Sequence, residues 1–148
     1  MSEIRDRLAI RELLTAYANS FDRKDWTGLG ECLADTLHTD YSQLRHTPPE
    51  TISREHFVEL RQSALHELDT QHMLSNIQVR LKGDRGEAIA SMVIFRRDVT
   101  GKRLDTHCLY TFGVQRIGRD WLICSIVQNV LWNEGHESVH AGIQGKND

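Results

Sequence analysis

The sequence is poor in features that would cross-link a small protein or carry it across a membrane. Its three cysteines, Cys32, Cys108 and Cys124, are widely spaced and form no CxxC pair, which argues against a disulfide framework or a zinc knuckle. No apolar run approaches the length of a membrane span. The opening MSEIRDRLAIRELL is charged and periodic, unlike a secretory signal. We therefore expect a cytoplasmic protein with no membrane partner.

Clustered positive charge is also missing. The formal net charge is -3, and the 18 lysines and arginines are scattered along the chain, which argues against a nucleic-acid partner. The pairs Arg96-Arg97 and Lys102-Arg103 flank a predicted turn at Thr100-Gly101, and we interpret them as a solvated hairpin tip. The chain has no P-loop, GxGxxG motif or GxSxG elbow, so nucleotide binding and serine-hydrolase chemistry lack support.

What is present is helical periodicity in the first half of a chain whose 148 residues suit one domain, residues 1–148. Apolar residues at helical spacing predict an amphipathic helix over about 3–22 and a shorter one over about 25–34. A short strand is predicted over 36–44, followed by a loop at Pro48-Pro49. Ser53 then begins a third helix.

The second half changes to strand patterns. Residues 70–82, 86–98, 104–117 and 120–133 read as four strands joined by tight turns, which predicts an antiparallel meander. Helices followed by a curved sheet are typical of an α+β fold with the helices on one sheet face. A strongly curved sheet covered in this way makes a cone-shaped barrel around a pocket.

Two polar residues stand where the pattern calls for apolar ones. In SFDRKDW, Asp25 is placed to cap the second helix, whereas Asp22 continues the i, i+4 row of Ile10, Leu14 and Ala18 and so points inward. His72 begins the strand TQHMLSNIQVR, and simple alternation gives it the same-face neighbours Leu74, Asn76 and Gln78. A face that mixes His, Leu and Asn suits a partly polar pocket, although a satisfied core histidine is the plainer alternative.

The remaining histidines offer less. His38, His46, His56 and His66 occupy helix or loop positions that we expect to be exposed, and His107 is a weak candidate. The run HESVH, His136 to His140, matches the HExxH pattern of zinc peptidases. It follows Gly135 within a polar tail and has no evident third ligand, so we predict no metal site and no role for His140 in activity. Further candidates for pocket lining are Tyr17, Tyr41, Tyr110, Gln128 and Trp132.

The segments SFDRKDW, LHTDY, TQHM and RDWLICSIVQNVLWNEG together resemble the SnoaL-like branch of the nuclear transport factor 2-like superfamily, and the first three resemble scytalone dehydratase. The resemblance runs from about Arg5 to Glu134. It implies that Asp22 orients His72, that His72 is the proton-shuttling base, and that Tyr41 is one of two tyrosines holding a water on the substrate carbonyl. It implies no metal or organic cofactor.

The resemblance is incomplete among the residues that would contact the substrate. Phe21 replaces the second tyrosine, and Tyr17, one turn earlier, is a candidate to compensate, since related bile-acid dehydratases have a tyrosine there. The second histidine of the family site has no clear counterpart in the aligned FRRDV, and its serine and asparagine fall near Cys108 and Tyr110. Candidate substrate-binding residues are therefore Tyr17, Phe21, Asn76, Cys108, Tyr110 and Gln128.

The resemblance implies a lyase, most simply a dehydratase of a cyclic or polyketide-like hydroxy-carbonyl compound. A cyclase or isomerase would use the same proton-shuttling pair. A non-catalytic module of the same fold is a further alternative, either a small-ligand binder or a subunit like the small subunits of ring-hydroxylating dioxygenases. The apolar outer face of WLICSIVQNVLW predicts a homo-oligomer, and the resemblance suggests a homotrimer or homodimer.

Overall fold

The computed structural model describes residues 2–145 as helices followed by a curved sheet, which confirms the predicted α+β fold. The four helices are α1 (Glu3–Asp22), α2 (Trp26–Glu31), α3 (Ser42–Arg45) and α4 (Arg54–Leu65), with a 3-10 turn at Glu137–Val139. The strands are β1 (Leu33–Asp40), β2 (Glu50–Ser53), β3 (Asp69–Lys82), β4 (Arg85–Arg97), β5 (Arg103–Ile117) and β6 (Asp120–Gly135). No helix within the described residues is long and apolar enough to cross a membrane.

Three of the helices begin at side-chain caps. The Ser2 hydroxyl accepts the backbone N–H of Arg5, the Asp25 carboxylate accepts that of Gly28, and the Ser53 hydroxyl accepts that of His56. Each cap satisfies an N–H group that has no partner inside the helix. The predicted roles of Asp25 and Ser53 as helix starts are confirmed.

The segment after α2 differs from the sequence-based prediction. The helix ends at Glu31 rather than near residue 34, β1 already begins at Leu33, and residues 42–45 form the short helix α3. The reason is tertiary: Leu33 and Leu37 are fully buried in a strand that pairs in parallel with β6. That pairing ends the helix earlier than the local apolar pattern predicts. The pattern cannot show it, because strands paired in parallel can be distant in the sequence.

The sheet has the order β2-β1-β6-β5-β4-β3. Strands β3 to β6 form the predicted antiparallel meander. The parallel insertion of β1 and the four-residue strand β2 were not predicted, because β2 is short, polar and directly follows two prolines. Strands β2 and β3 are the two edges, so the curved sheet does not close on itself.

A bulge in β3 overturns one prediction about side-chain direction. Pairing with β4 shifts between Ser75 and Gln78, and Asn76 has a positive φ of 54°. The extra residue reverses the alternation, so Ile77 takes the inner face while Asn76 and Gln78 are exposed. The expectation that Asn76 and Gln78 share the inward face of His72 is therefore wrong.

Helix α1 connects the hydrophobic core to the polar part of the interior. Ile10 and Leu14 are fully buried in the core, and one to two turns further on Tyr17 and Phe21 are buried with their rings 5.0 Å apart, edge to face. Tyr17 also meets the Phe112 ring of β5 at 5.4 Å. The last turn of α1 thus carries aromatic side chains to the position where Asp22 meets β3.

Candidate functional site

The concave face of the sheet and helices α1, α3 and α4 enclose a narrow cavity. The free space inside is about 20 Å³, which admits about one water molecule, so a larger ligand requires side chains to move apart. Its lining combines aromatic, basic and apolar side chains: Tyr17, Phe21, Tyr41, Leu44, Arg45, Arg61, Leu65, His72, Ile94, Arg96, Tyr110, Gln128 and His140.

Asp22 and His72 form a hydrogen-bonded pair at the wall of this cavity. The Asp22 carboxylate accepts the His72 ring Nδ1–H at 2.7 Å and the His72 backbone N–H at 2.8 Å. The Thr70 hydroxyl donates to the same carboxylate at 3.0 Å. These contacts fix the ring orientation and place the proton on Nδ1, so Nε2 carries the lone pair that can accept a proton.

The surroundings of His72 favour its neutral form. Its side chain is only 6 % exposed, and the Phe21 ring stacks on the imidazole with centroids 4.7 Å apart. Burial lowers the pKa of His72, the hydrogen bond and charge of Asp22 oppose that effect, and the positive charge of Arg96 adds to it. Near neutral pH, His72 is therefore a base in a dry site with an oriented ring.

Three tyrosines present hydroxyl groups inside the cavity. The Tyr17 and Tyr41 hydroxyls lie 3.4 Å apart, and the Gln128 amide N–H donates to the Tyr110 hydroxyl at 3.0 Å. Burial raises the pKa of all three tyrosines, so each phenol keeps its proton. The predicted lining residues Tyr17, Phe21, Tyr41, Tyr110 and Gln128 accordingly all reach the cavity.

Three predicted residues lie elsewhere. Asn76 is exposed at the β3 bulge, where its amide reaches the Ser91 hydroxyl at 3.5 Å. Cys108 is buried but is not among the side chains that line the cavity, and its thiol donates to the Met92 carbonyl at 3.2 Å. Burial raises the pKa of this thiol to about 12, so it remains protonated. Trp132 is half-exposed on the outer face of the sheet.

The cavity also contains arginines that sequence inspection missed. Arg96 is 3 % exposed and donates to the Thr106 hydroxyl at 2.8 Å, so its interpretation as part of a solvated hairpin tip is wrong. Arg61 of α4 is buried beside the rings of Phe57 and Tyr41. The Arg45 guanidinium lies 3.8 Å above the Tyr41 ring centroid.

The signal for these arginines was the same one that singled out Asp22. Phe57, Arg61 and Leu65 form an i, i+4 row on α4, so a charged residue continues a buried apolar row. In β4 the alternation of Ala88, Ala90, Met92 and Ile94 continues directly to Arg96. Periodicity therefore contained the information, although the neighbouring Arg97 suggested an exposed basic pair.

The C-terminal segment contributes a further side chain. Within the HESVH run, only Glu137–Val139 form a 3-10 turn. The last residue of the run, His140, is buried, and its Nδ1 accepts the Gly142 N–H at 2.8 Å. Val139 and Ile143 are buried as well, and the Gln144 N–H donates to the Arg45 carbonyl at 3.0 Å. The interpretation of this stretch as a polar tail is wrong, and the expectation that His140 has no part in activity loses its basis.

The other histidines of the sequence-based survey are exposed. His38, which lies in β1 rather than in a helix or loop, and His46, His56 and His66 all face solvent. His107 stacks on Trp132 of the neighbouring strand with ring centroids 4.1 Å apart, and Trp132 is on the outer face. Within residues 2–145, no three His, Cys, Asp or Glu side chains gather in an arrangement that could hold a metal ion.

The chain matches known families over most of its length. The profile described as a SnoaL-like domain matches residues 2–127. Scytalone dehydratase PfmaJ of Pestalotiopsis fici is 22% identical over 141 residues, which cover 87% of this chain and 74% of the relative.

Solved structures share the same architecture. The Kfla4162 protein of Kribbella flavida has a TM-score of 0.88 at 20% identity and covers 93% of this chain and 98% of its own. A hexachlorocyclohexane dehydrochlorinase, LinA type 2, has a TM-score of 0.78 at 15% identity over 89% of each chain. At these identities the structural matches establish the shared fold.

Proposed function

The chain belongs to the SnoaL-like domain family of the nuclear transport factor 2-like fold, and from that premise we propose that it is a lyase needing no cofactor. The proposed reaction is loss of water from a cyclic or polyketide-like hydroxy-carbonyl compound. The relatives named as a dehydratase and a dehydrochlorinase both catalyse eliminations by their names, which supports this reaction type over others.

The proposed mechanism uses one base twice. His72 Nε2 takes a proton from the carbon next to the carbonyl, and the electron pair left behind forms the enolate. The enolate then expels the hydroxyl group on the adjacent carbon, which takes the proton from His72 and leaves as water. The carbon–carbon double bond formed balances the lost H and OH. Asp22 supports the imidazolium in between, and Tyr41, with Tyr17 beside it, stabilises the enolate oxygen.

The observation that carries the proposal is the Asp22–His72 hydrogen bond of 2.7 Å at the wall of the cavity. A buried histidine with a structural role needs hydrogen-bond partners for its ring nitrogens, and a backbone group or a hydroxyl serves as well as a carboxylate. Here the Asp22 carboxylate orients the His72 ring through Nδ1, and the His72 side chain, with its second nitrogen Nε2, lines the cavity. This arrangement fits general acid–base catalysis better than a structural role.

A binding module without catalysis is the second candidate. The small volume of the cavity, about 20 Å³, favours a module that binds a partner subunit, because any ligand larger than water could enter only after side chains move apart. A cyclase or isomerase remains a variant of the first proposal, because it would begin with the same proton removal. The fate of the hydroxyl group separates the two: water is released only in the dehydratase.

The test is a screen of hydroxy-ketones for loss of water, followed by comparison of the wild type with two variants. We expect His72→Ala and Asp22→Asn to lower kcat by about 10²–10⁴-fold, since each removes positioned acid–base catalysis. Circular dichroism should show both variants folded. Asn76→Ala is the matched control, because this side chain lies on the same strand but outside the cavity. Full turnover by His72→Ala would refute the mechanism.

Location and assembly stay predictions. The cysteines Cys32, Cys108 and Cys124 are free thiols, in keeping with the expected cytoplasmic location. We propose a homotrimer or homodimer, supported by exposed apolar side chains on the outer sheet face, among them Met73, Leu131 and Trp132.

A further inference from the structure

Two guanidinium groups are buried at the cavity with no counter-ion among the residues that the structure describes. Arg61 is 7 % exposed and Arg96 is 3 % exposed, and within the described residues neither forms an ion pair. The Nε atoms of both, and of the neighbouring Arg45, have no hydrogen-bond partner there. Burying an unpaired charge is costly, so this arrangement requires a compensating interaction.

The nearby carboxylates are already engaged. Asp22 accepts the hydrogen bonds of Thr70 and His72. Asp105 attracts Arg96 only at longer range and is bonded to Arg103 at 3.2 Å. Burial, reinforced by the positive charge of Arg61, lowers the pKa of Arg96 to about 10, so the guanidinium stays charged near neutral pH.

A half-buried arginine, Arg116, shows how this chain accommodates such a charge elsewhere. Arg116 lies outside the cavity and binds the carboxylates of Asp6 at 2.9 Å and Asp84 at 3.1 Å. Arg61 and Arg96 are more deeply buried than Arg116, yet no acid within residues 2–145 pairs with either of them. Instead of a carboxylate such as Asp6, they face a space that a ligand could occupy.

We infer that the cavity binds an organic anion, with a carboxylate of the ligand held between Arg61 and Arg96. Guanidinium groups match planar carboxylates, and charge-assisted hydrogen bonds are strongest in such dry surroundings. The buried tyrosine hydroxyls add neutral donors, and the cavity-lining side chains of Leu65 and Ile94 offer apolar surface. The inference rests on the proposed function only in identifying this ligand as the substrate, which would then be a hydroxy-carbonyl compound carrying a carboxylate.

The experiment compares carboxylates with their uncharged amides. Acetate and benzoate are titrated into the full chain against acetamide and benzamide at constant ionic strength, and binding is followed by calorimetry and by the shift in Tm. The variants are Arg61→Met and Arg96→Met, and Arg80→Met is the matched control, since it removes the same charge from an exposed position of β3. Arg61→Lys and Arg96→Lys, which keep the charge, are measured as well, and they replace a methionine variant that does not fold.

We expect at least one carboxylate to bind about tenfold or more tightly than its amide, in the wild type and in Arg80→Met alike. Arg61→Met and Arg96→Met should lose this preference, and the lysine variants should weaken it. Each methionine variant should also have an unchanged or higher Tm without ligand, because an uncompensated charge has been removed. Equal binding of acid and amide, or a preference that survives both methionine variants, would overturn the inference.

Failure of this inference and failure of the proposed function give different results. Anion binding should persist in His72→Ala, because that variant leaves both arginines in place. If carboxylates bind but no hydroxy acid loses water, the lyase proposal fails and the anion site stands. If a neutral hydroxy-ketone or methyl ester is turned over as well as the free acid, with no preference for carboxylates, the anion site fails and the lyase stands.

Discussion

At the scale of single residues, the site depends on the Asp22 carboxylate and the hydrogen bonds that it accepts. Asp22 accepts three hydrogen bonds, from the Thr70 hydroxyl, the His72 backbone and the His72 ring. All three come from the start of β3, so the same contacts that orient the imidazole also attach α1 to the edge of the sheet. An amide in its place can accept but carries no charge. Asp22→Asn should therefore affect catalysis more than folding.

The protonation of His72 gives a prediction about pH. Burial lowers its pKa below the ordinary 6.5, and Arg96 contributes in the same direction. On the acidic side of the pH profile, kcat/KM drops as the base becomes protonated. The midpoint of this acidic limb should accordingly lie below pH 6.5. Arg96→Met removes a positive charge and should move that limb to higher pH. A pH–rate profile of both proteins measures it, and a limb that stays in place would contradict the assigned coupling.

The lowered pKa of His72 also makes the stability of the fold depend on pH. Because His72 is harder to protonate in the folded than in the unfolded chain, the unfolded chain binds more protons as the pH falls through 6.5. The contribution of neutral His72 to stability is thus present above pH 6.5 and is lost below it. His72→Ala should flatten this part of the stability curve.

At the scale of elements, the bulge in β3 decides which side chains face the cavity. His72 and Leu74 lie before it and Ile77 and Val79 after it, so one strand presents both its polar and its apolar residues inward. Without the extra residue, Asn76 and Gln78 would replace Ile77 and Val79 on the core face. The bulge is therefore what lets the proposed catalytic residue His72 and a core segment share one strand.

The position of Asn76 in the bulge and outside the cavity predicts that substitutions there change stability but not function. Asn76 has a left-handed φ of 54°, which asparagine tolerates and a β-branched residue does not. Asn76→Val should lower the free energy of unfolding by about 1–2 kcal/mol, whereas Asn76→Gly should leave it nearly unchanged or raise it. Denaturant titration measures both. The KM of either folded variant should equal that of the wild type, and a raised KM would return Asn76 to the site.

At the scale of the whole molecule, the outer sheet face carries a row of apolar and aromatic side chains across four strands. Met73, Val93, His107 and Trp132 are successive partners in the pairing of β3, β4, β5 and β6. Met73 is 52 % exposed and Trp132 51 %. An exposed row of this kind is typical of an interface, and a second copy of the chain is the partner that we expect.

The expected assembly can be tested by introducing a charge into this row. Trp132→Glu should convert a homodimer or homotrimer into a monomer, because a carboxylate buried in an apolar interface is costly. Size-exclusion chromatography with light scattering measures the mass. Val99→Glu, on an exposed hairpin tip, is the control and should leave the mass unchanged. A wild-type monomer, or an unchanged mass for Trp132→Glu, would contradict the expectation.

The sequence by itself determined the features that depend on local spacing. The 3.6-residue period of α1, the caps Asp25 and Ser53 and the turns between the four long strands all follow from residues close together in the chain. The inward direction of Asp22 belongs to the same class, since it needs only the row that begins at Ile10. The family resemblance then linked Asp22 to His72 across the sequence.

Only the tertiary structure decided the features that depend on distant partners. The parallel pairing of β1 with β6 ended α2 early, and the register against β4 fixed the bulge that turned Asn76 outward. Arg61, Arg96 and His140 come from a helix, a strand and the C-terminal segment, and periodicity indicates only that the two arginines point inward, not that the three side chains meet. They meet because the curved sheet and its helices bring separate elements around one cavity, a contact that spacing along the chain does not encode.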